Sequence, residues 1–406
     1  MLVASSAATL PTAAAAARPA PPALSVTGAA LYAPATGQLL YGVDPDRRLA
    51  IASTTKLMTA LVTVQHIHHL GVTFTQNDWY PAADDSQIGL VPGERMSVHD
   101  LLLALMLPSA DDAAEDLAYN IGHGSVARFV GMMNAQARAL HLRNTHYSTP
   151  IGLDTQGNWS TADDLVHLAA YDLSHSRYLA RIVSLPGAVL HSGREVRTIV
   201  NRNDLVSEYP WIDGVKTGHT DDAGYVLVAS GQRDGMTLIS AVLGTDSEQS
   251  RDANTLALLD YGFGAFRVWT PVRRGDVLAR VPVRGAAGER VGVVAARGWR
   301  RILPRSDHLR VVAHVPRQLS GPLAAGARVG RAAVLHGRRV LAWIPLTLQQ
   351  RLAAPVPKLA ARLIGRPPVI SMLGGLLAML AGLGIRRAGR RTVRESDGSG
   401  RELEVG

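Results

Sequence analysis

Apolar and polar residues change their rhythm several times along the chain, and each change marks a different kind of structure. Thr27 to Tyr32 and Gln38 to Gly42 are short strand-like runs, separated by Pro34-Ala35-Thr36-Gly37, which predicts a hairpin turn. From Ser53 to about Ala180 the spacing becomes helical. Leu57, Leu61 and Val62 begin one apolar pattern that runs past His66 toward Leu70, and Leu101 to Met106 form another. Strand patterns return at Tyr225 to Ser230 and Thr237 to Leu243, and a helix is predicted from about Arg251 to Tyr261. Strands, a helical middle, strands again and a closing helix predict an α/β domain over 25–265 whose sheet joins distant parts of the chain.

The region 266–346 has a different texture. Val277 to Val283, Arg290 to Ala295, Leu309 to Val315, Ala332 to Leu335 and Arg339 to Ile344 are short β-rich runs separated by Gly and Pro, which predicts a small all-β domain. A length of 406 residues agrees with two folded units plus appendages.

The ends are appendages. Residues 1–24 are rich in Ala, Ser, Thr and Pro and carry no charge before Arg18. They read either as a leader that lacks a basic first region or as a disordered tail. Residues 347–368 form a Pro/Ala/Arg linker, and 369–385 form an uncharged run, VISMLGGLLAMLAGLGI. As a helix this run measures ~25 Å at ~1.5 Å per residue, the short end of what crosses a bilayer. The basic tail 386–406 opens with Arg386-Arg387-Ala388-Gly389-Arg390-Arg391, a cluster that favours the cytoplasmic side and puts the folded domains outside. The expectation is a C-terminal transmembrane helix; the alternative is a buried or membrane-surface helix.

Composition narrows the chemistry. There is no cysteine, so thiolate nucleophiles, disulfides and cysteine metal sites are excluded. The formal charge is +9, and of 42 basic residues only Lys56, Lys216 and Lys358 are lysine. Lysine can lose its proton when buried and act as a base, whereas arginine effectively cannot. Sixteen arginines between 267 and 350 face only Asp276, Glu289 and Asp307. No nucleic-acid motif accompanies them, so attraction to an anionic envelope is the expectation and a nucleic-acid partner is not.

Three short motifs carry candidate chemistry. Ser53-Thr54-Thr55-Lys56 places a hydroxyl and an amine at i and i+3, on one helix face. A neutral lysine there accepts the serine proton and makes Ser53 a nucleophile. Ser109-Ala110-Asp111 follows an apolar run and adds a hydroxyl and a short polar side chain at a helix–loop junction, suited to proton relay and orientation of the base. Lys216-Thr217-Gly218, if it falls on an edge strand, would offer a cation and a hydroxyl to a substrate carboxylate. Gly218 permits close backbone approach, and the next amide, that of His219, can help hold an oxyanion. Each motif alone has a structural reading: a helix cap, a helix N-terminus, a turn. Their order, with two of three lysines falling inside them, is the signature of penicillin-binding proteins and serine β-lactamases.

From about Ala29 to Phe266 the sequence closely resembles the low-molecular-mass penicillin-binding proteins, the serine-type D-alanyl-D-alanine carboxypeptidases. IASTTKLMTAL, LLLALMLPSADDAAEDLA, NTHYSTPIGLD, STADDL and GVKTGHTDDAGYVLVAS carry the resemblance. It implies a β-lactamase/transpeptidase-like domain, an antiparallel sheet flanked by helices with a mostly helical lobe, then a β-rich domain and a C-terminal membrane anchor. It implies that Ser53 forms an acyl-enzyme, Lys56 deprotonates it, Ser109 joins the relay, and Lys216 with Thr217 binds substrate. The oxyanion would sit between the amides of Ser53 and His219, and Arg251 would pair with the terminal carboxylate. The implied reaction removes the terminal D-alanine of a peptidoglycan stem pentapeptide, with β-lactam antibiotics as inhibitors and no metal or organic cofactor. The implied location is the cell membrane, with the catalytic domain on its extracytoplasmic side.

One departure stands out. Asp111 occupies the place where the family usually has asparagine. A carboxylate cannot donate a hydrogen bond unless protonated, and beside Lys56 it would raise the lysine pKa and weaken the base. A class A β-lactamase is disfavoured because no glutamate lies between Glu115 and Glu195 to activate water. A DD-endopeptidase acting on crosslinks would use the same residues, and a weakly catalytic wall-binding scaffold of the same fold is the non-enzymatic alternative.

Overall fold

The computed structural model describes residues 19–354 apart from 84 and 287. Most of the expected leader, most of the linker, the apolar run 369–385 and the basic tail lie outside the described residues. Among the described residues no helix is long and apolar enough to cross a membrane.

The described chain divides into two compact units, one reaching Thr270 and including Arg300–His308, the other made of Pro271–Trp299 and the described residues from Leu309 onward. In the first unit, strands β1 (Gly28–Ala33) and β2 (Gln38–Val43) form the predicted hairpin, closed by Thr36 and Gly37 amides on the Ala33 carbonyl. A 3₁₀ turn, Ala52–Thr55, leads into α1 (Lys56–His66). The short ribbon β3 (Thr73–Thr75) with β4 (Arg95–Ser97) precedes α2 (Val98–Met106), α3 (Asp111–Ile121) and α4 (Val126–Ala139). Then come α5 (Ala162–His175), α6 (Arg177–Val183), a hairpin of β5 (Gly187–Leu190) and β6 (Arg197–Val200), and the single turn α7 (Leu205–Glu208). Strands β7 (Ile212–Thr220), β8 (Gly224–Arg233) and β9 (Met236–Thr245) and helix α8 (Glu248–Ala265) finish the fold.

The main sheet has the order β2-β1-β9-β8-β7 and is antiparallel throughout. Successive strand residues point to opposite faces, and here both faces are covered. Val226, Val228 and Ala241 pack on the core shared with the helical lobe, while Leu227, Ala229 and Val242 pack on the core that includes Leu258 and Leu259 of α8. Two-sided burial explains why β1 and the middle of β8 read as apolar runs rather than alternation. Helix starts are marked by side-chain caps: Ser97 accepts from the Asp100 amide, Thr161 from Asp164 and Ser247 from Ser250. The consequence for the site is that β7 is an edge strand, so the Lys216-Thr217-Gly218 motif has one flank free of sheet partners.

Phe266–Val272 (β10) pairs with Trp299–Pro304 (β13) in a two-stranded sheet. The second unit is an antiparallel sheet of β11 (Val277–Pro282), β12 (Arg290–Ala295), β14 (Leu309–His314), β15 (Arg328–His336) and β16 (Arg339–Leu348), in the order β11-β12-β16-β15-β14. Its own core is built from Val281, Val293, Val334, Ile344 and Leu346.

Candidate active site

Three stretches of chain, spread from Ser53 to His219 in the sequence, meet at a cavity of about 500 Å³. The 3₁₀ turn before α1 brings Ser53, the junction between α2 and α3 brings Ser109 and Asp111, and edge strand β7 brings Thr217, Gly218 and His219. Arg251, on the first turns of α8, also reaches it. Lys56 and Lys216 lie beneath, with 0% and 1% of their surface exposed.

The backbone is strained where the hydroxyls are placed. Ala52, immediately before Ser53, has φ +45°, and Ser109 itself has φ +69°. Left-handed conformations at residues with a Cβ cost about 1–3 kcal/mol each and persist where the surroundings enforce them. The surroundings here are crowded: a Cβ on Gly152 would lie 2.0 Å from the Ala52 carbonyl oxygen. A Cβ on Gly218 would lie 2.9 Å from the Ser53 amide nitrogen. Only glycine lets β7 run this close to Ser53, so the glycine of the third motif is explained by approach, not by a turn.

Lys56 Nζ is surrounded by three acceptors, Ser53 Oγ at 2.8 Å, Asp111 Oδ1 at 2.5 Å and the Ile151 carbonyl at 2.9 Å. Three acceptors match the three donors of an ammonium group. Burial pushes the Lys56 pKa down, Asp111 pulls it back up, and Arg202 pushes it down again. The first of these is the largest, so the amine titrates below its ordinary range. Burial drives Lys216 well below its ordinary value, and the Lys56 and Arg202 charges add to that. Lys216 Nζ donates to the Thr217 carbonyl at 3.0 Å. Ser109 Oγ is buried and makes no hydrogen bond among the described residues. It is an unused donor and acceptor at the cavity wall.

His219 is exposed and its ring lies 4.0 Å from that of Tyr225, tilted by 30°. Arg251 is 2% exposed and already committed: Nε and Nη2 donate to the two Asp252 carboxylate oxygens at 2.9 and 3.1 Å, and Nη1 to Glu248 at 3.2 Å. Arg202, in the segment before α7, was not among the expected site residues. It lines the cavity, is exposed, and has no hydrogen bond or ion pair from its guanidinium among the described residues. Its sequence signal was only that of one arginine among many. Glu115 is buried on α3 and does not line the cavity. Among the described residues no group of His, Asp and Glu is arranged to hold a metal ion.

An antiparallel sheet with helices on both faces, and a serine hydrogen-bonded to a buried lysine beside an edge strand carrying Lys-Thr-Gly, define an active-site serine acyl-transferase or hydrolase of the penicillin-binding class. Residues 15–247 match the family model described as D-alanyl-D-alanine carboxypeptidase. The chain belongs to that family. It is 28% identical over 322 residues to the D-alanyl-D-alanine carboxypeptidase DacF of Bacillus subtilis, covering 78% of this chain and 82% of the relative. It is 34% identical over 261 residues to the D-alanyl-D-alanine carboxypeptidase of Streptomyces sp. strain K15, covering 60% and 88%. Among solved structures, penicillin-binding protein 5 of Haemophilus influenzae aligns with a TM-score of 0.65 at 27% identity, over 82% of this chain and 99% of that one.

Proposed function

We propose that this chain removes the terminal D-alanine from peptidoglycan stem pentapeptides by a two-step acyl-enzyme reaction on Ser53, and that β-lactams acylate the same oxygen. The observation that carries the reading is the Lys56 Nζ–Ser53 Oγ contact of 2.8 Å around a fully buried lysine. When Lys56 is neutral it takes the Ser53 proton as Oγ attacks the carbonyl carbon of the penultimate D-alanine. The amides of Ser53 and His219 face the developing oxyanion. Collapse of the tetrahedral intermediate breaks the peptide bond. The leaving nitrogen takes a proton from Lys56, with Ser109 Oγ as the relay, and D-alanine departs. Water then attacks the ester carbonyl, and Ser53 Oγ leaves with a proton returned through Lys56.

Strand β7 supports substrate in this scheme: its free edge and Thr217 receive an extended peptide, and the buried Lys216, donating to the Thr217 carbonyl, braces that stretch from beneath. Arg251 and Arg202 flank the terminal carboxylate, a task for which a guanidinium is suited. Because Asp252 and Glu248 already share Arg251, Arg202, unpartnered among the described residues, supplies the readier contact. The apolar run 369–385, followed by its arginine cluster, serves in this reading as a membrane anchor that holds the enzyme on the extracytoplasmic face of the cell membrane.

The test is D-alanine release from a stem pentapeptide. The reading predicts release by the wild type and none above background by Ser53→Ala; equal release by both contradicts it. Release from crosslinked dimers but not from the pentapeptide would contradict the carboxypeptidase assignment in favour of an endopeptidase.

A further inference from the structure

Between β3 and β4 the chain passes along the catalytic cavity and contributes Asp85 and Ser86 to its wall. Through Gln76–Glu94 the described residues form no helix or strand. A segment without regular structure must satisfy its backbone groups elsewhere, and Ile88–Leu90 does so on two charged side chains from different elements, one taking its amides and the other its carbonyls. The Ile88 and Leu90 amides donate to Asp112 Oδ2 at 3.2 and 3.0 Å. The Ile88 carbonyl accepts from Arg197 Nε at 3.0 Å, and the Gly89 carbonyl accepts from Arg197 Nη2 at 3.4 Å. Gly89, between them, has φ +75°.

Each grip is itself anchored. Asp112 is 0% exposed in the first turn of α3 and also accepts its own helix's Ala113 amide at 2.9 Å. Arg197, on β6, pairs with the buried Glu94 at 2.8 Å, and the Glu94 backbone carbonyl closes the segment by accepting the Gln76 amide at 2.8 Å. Neither Asp112 nor Arg197 lines the catalytic cavity. What they hold does: Ser86, two residues before the clamped stretch, accepts the amide of Asp111, the Lys56 partner, at 2.7 Å. Asp85 acts electrostatically on Lys56.

We propose that Asp112 and Arg197 are a two-sided clamp on Ile88–Leu90 that positions the Asp85–Ser86 wall of the cavity and, through Ser86, the Asp111–Lys56 pair. They are positioning residues. The clamp rests on the carboxypeptidase reading for its consequence but not for its existence. Loosening it lets the wall drift from a bound peptide and weakens the hold of Asp85 on Lys56. Binding therefore suffers more than the chemical step, and the lysine titration moves.

The test compares wild type with Arg197→Gln, Arg197→Lys, Asp112→Asn and the double variant Asp112→Asn/Arg197→Gln. Expected for Arg197→Gln are a rise in KM for pentapeptide of about tenfold, the scale of one lost charge-assisted hydrogen bond, and a smaller change in kcat. The acid limb of penicillin acylation should move to lower pH, because the Asp85 charge that favours protonated Lys56 is less firmly held. Arg197→Lys should restore part of the loss, and the double variant should be no worse than the worse single variant, since both grips act on one segment. Hydrogen exchange at the Ile88 and Leu90 amides should be slow in wild type and at least tenfold faster in Asp112→Asn. Unchanged exchange in that variant overturns the clamp whatever the activity, and so does multiplication of the two single effects. An unchanged KM and acid limb in Arg197→Gln overturns its positioning role. Absence of pentapeptide cleavage by wild type counts against the carboxypeptidase reading alone, because the exchange measurement still decides the clamp.

Discussion

Lys56 Nζ lies 2.5 Å from Asp111 Oδ1 and 2.8 Å from Ser53 Oγ, so one buried amine is shared between a carboxylate and the hydroxyl that the proposed mechanism has it deprotonate. Burial and the carboxylate act in opposite directions on this amine. The neutral base appears as pH rises through its pKa, and Asp111 moves that point upward. Asp111→Asn is therefore expected to shift the acid limb of the acylation profile to lower pH and to speed acylation by penicillin near neutrality. Stopped-flow acylation between pH 5 and 9 measures it, and an acid limb that stays put or moves up refutes the role given to Asp111.

Ser109 lines the cavity and its Oγ forms no hydrogen bond among the described residues, so Ser109→Ala deletes no such bond that holds the fold. The variant is expected to melt within a few degrees of wild type and to acylate roughly a hundredfold more slowly, the low end for loss of a proton-transfer group. Melting curves paired with acylation rates check both halves.

The guanidinium of Arg202, without a partner among the described residues, and the tethered one of Arg251 make unequal predictions. Arg202→Gln is expected to raise KM for a pentapeptide about tenfold, the value of one hydrogen bond to a charged group. A substrate with its C-terminal carboxylate amidated should show no such difference between the two enzymes. Arg251→Gln should in addition lower the melting temperature, because it leaves Asp252 without its paired guanidinium.

Asp116 lies one helical turn beyond Asp112 on α3, is 1% exposed, and has its pKa raised to about 7 by burial and by Asp112 and Glu94. A carboxyl group that binds its proton more tightly folded than unfolded contributes stability below its unfolded pKa, and this contribution fades as pH rises toward the folded value. Wild type should therefore lose stability from about pH 4 to 7 relative to Asp116→Asn, whose amide has no proton to lose. Urea midpoints across this range give the comparison; parallel curves contradict the assignment.

How much was legible in the sequence depended on whether the signal was local. Ser53–Lys56 and Lys216–Gly218 are contacts within a turn or a strand, so their spacing already described their geometry. The β1–β2 hairpin and the β8 and β9 strands were visible because their apolar runs end at turn residues. The β5–β6 hairpin was not. Val189 and Val200 are exposed and charged or polar neighbours break the pattern, so burial leaves no periodic trace there. Arg300–His308 packs with the first unit despite lying within the β-rich run, a long-range choice that no local pattern encodes. The same holds for Arg202 and for the clamp, where Asp112 reaches residues 24 and 22 positions away and Arg197 reaches one 109 away. Asp111 is the intermediate case. The sequence placed a carboxylate near Lys56 and anticipated the pairing, while the dominant effect of burial on the lysine emerged only from the packed structure.

The most direct measurement is the mass of the Ser53-containing peptide after brief exposure of the purified enzyme to penicillin. The account predicts one covalent adduct per chain, confined to that peptide and absent in Ser53→Ala. No adduct on the wild type, or an adduct of equal yield on the alanine variant, would contradict it.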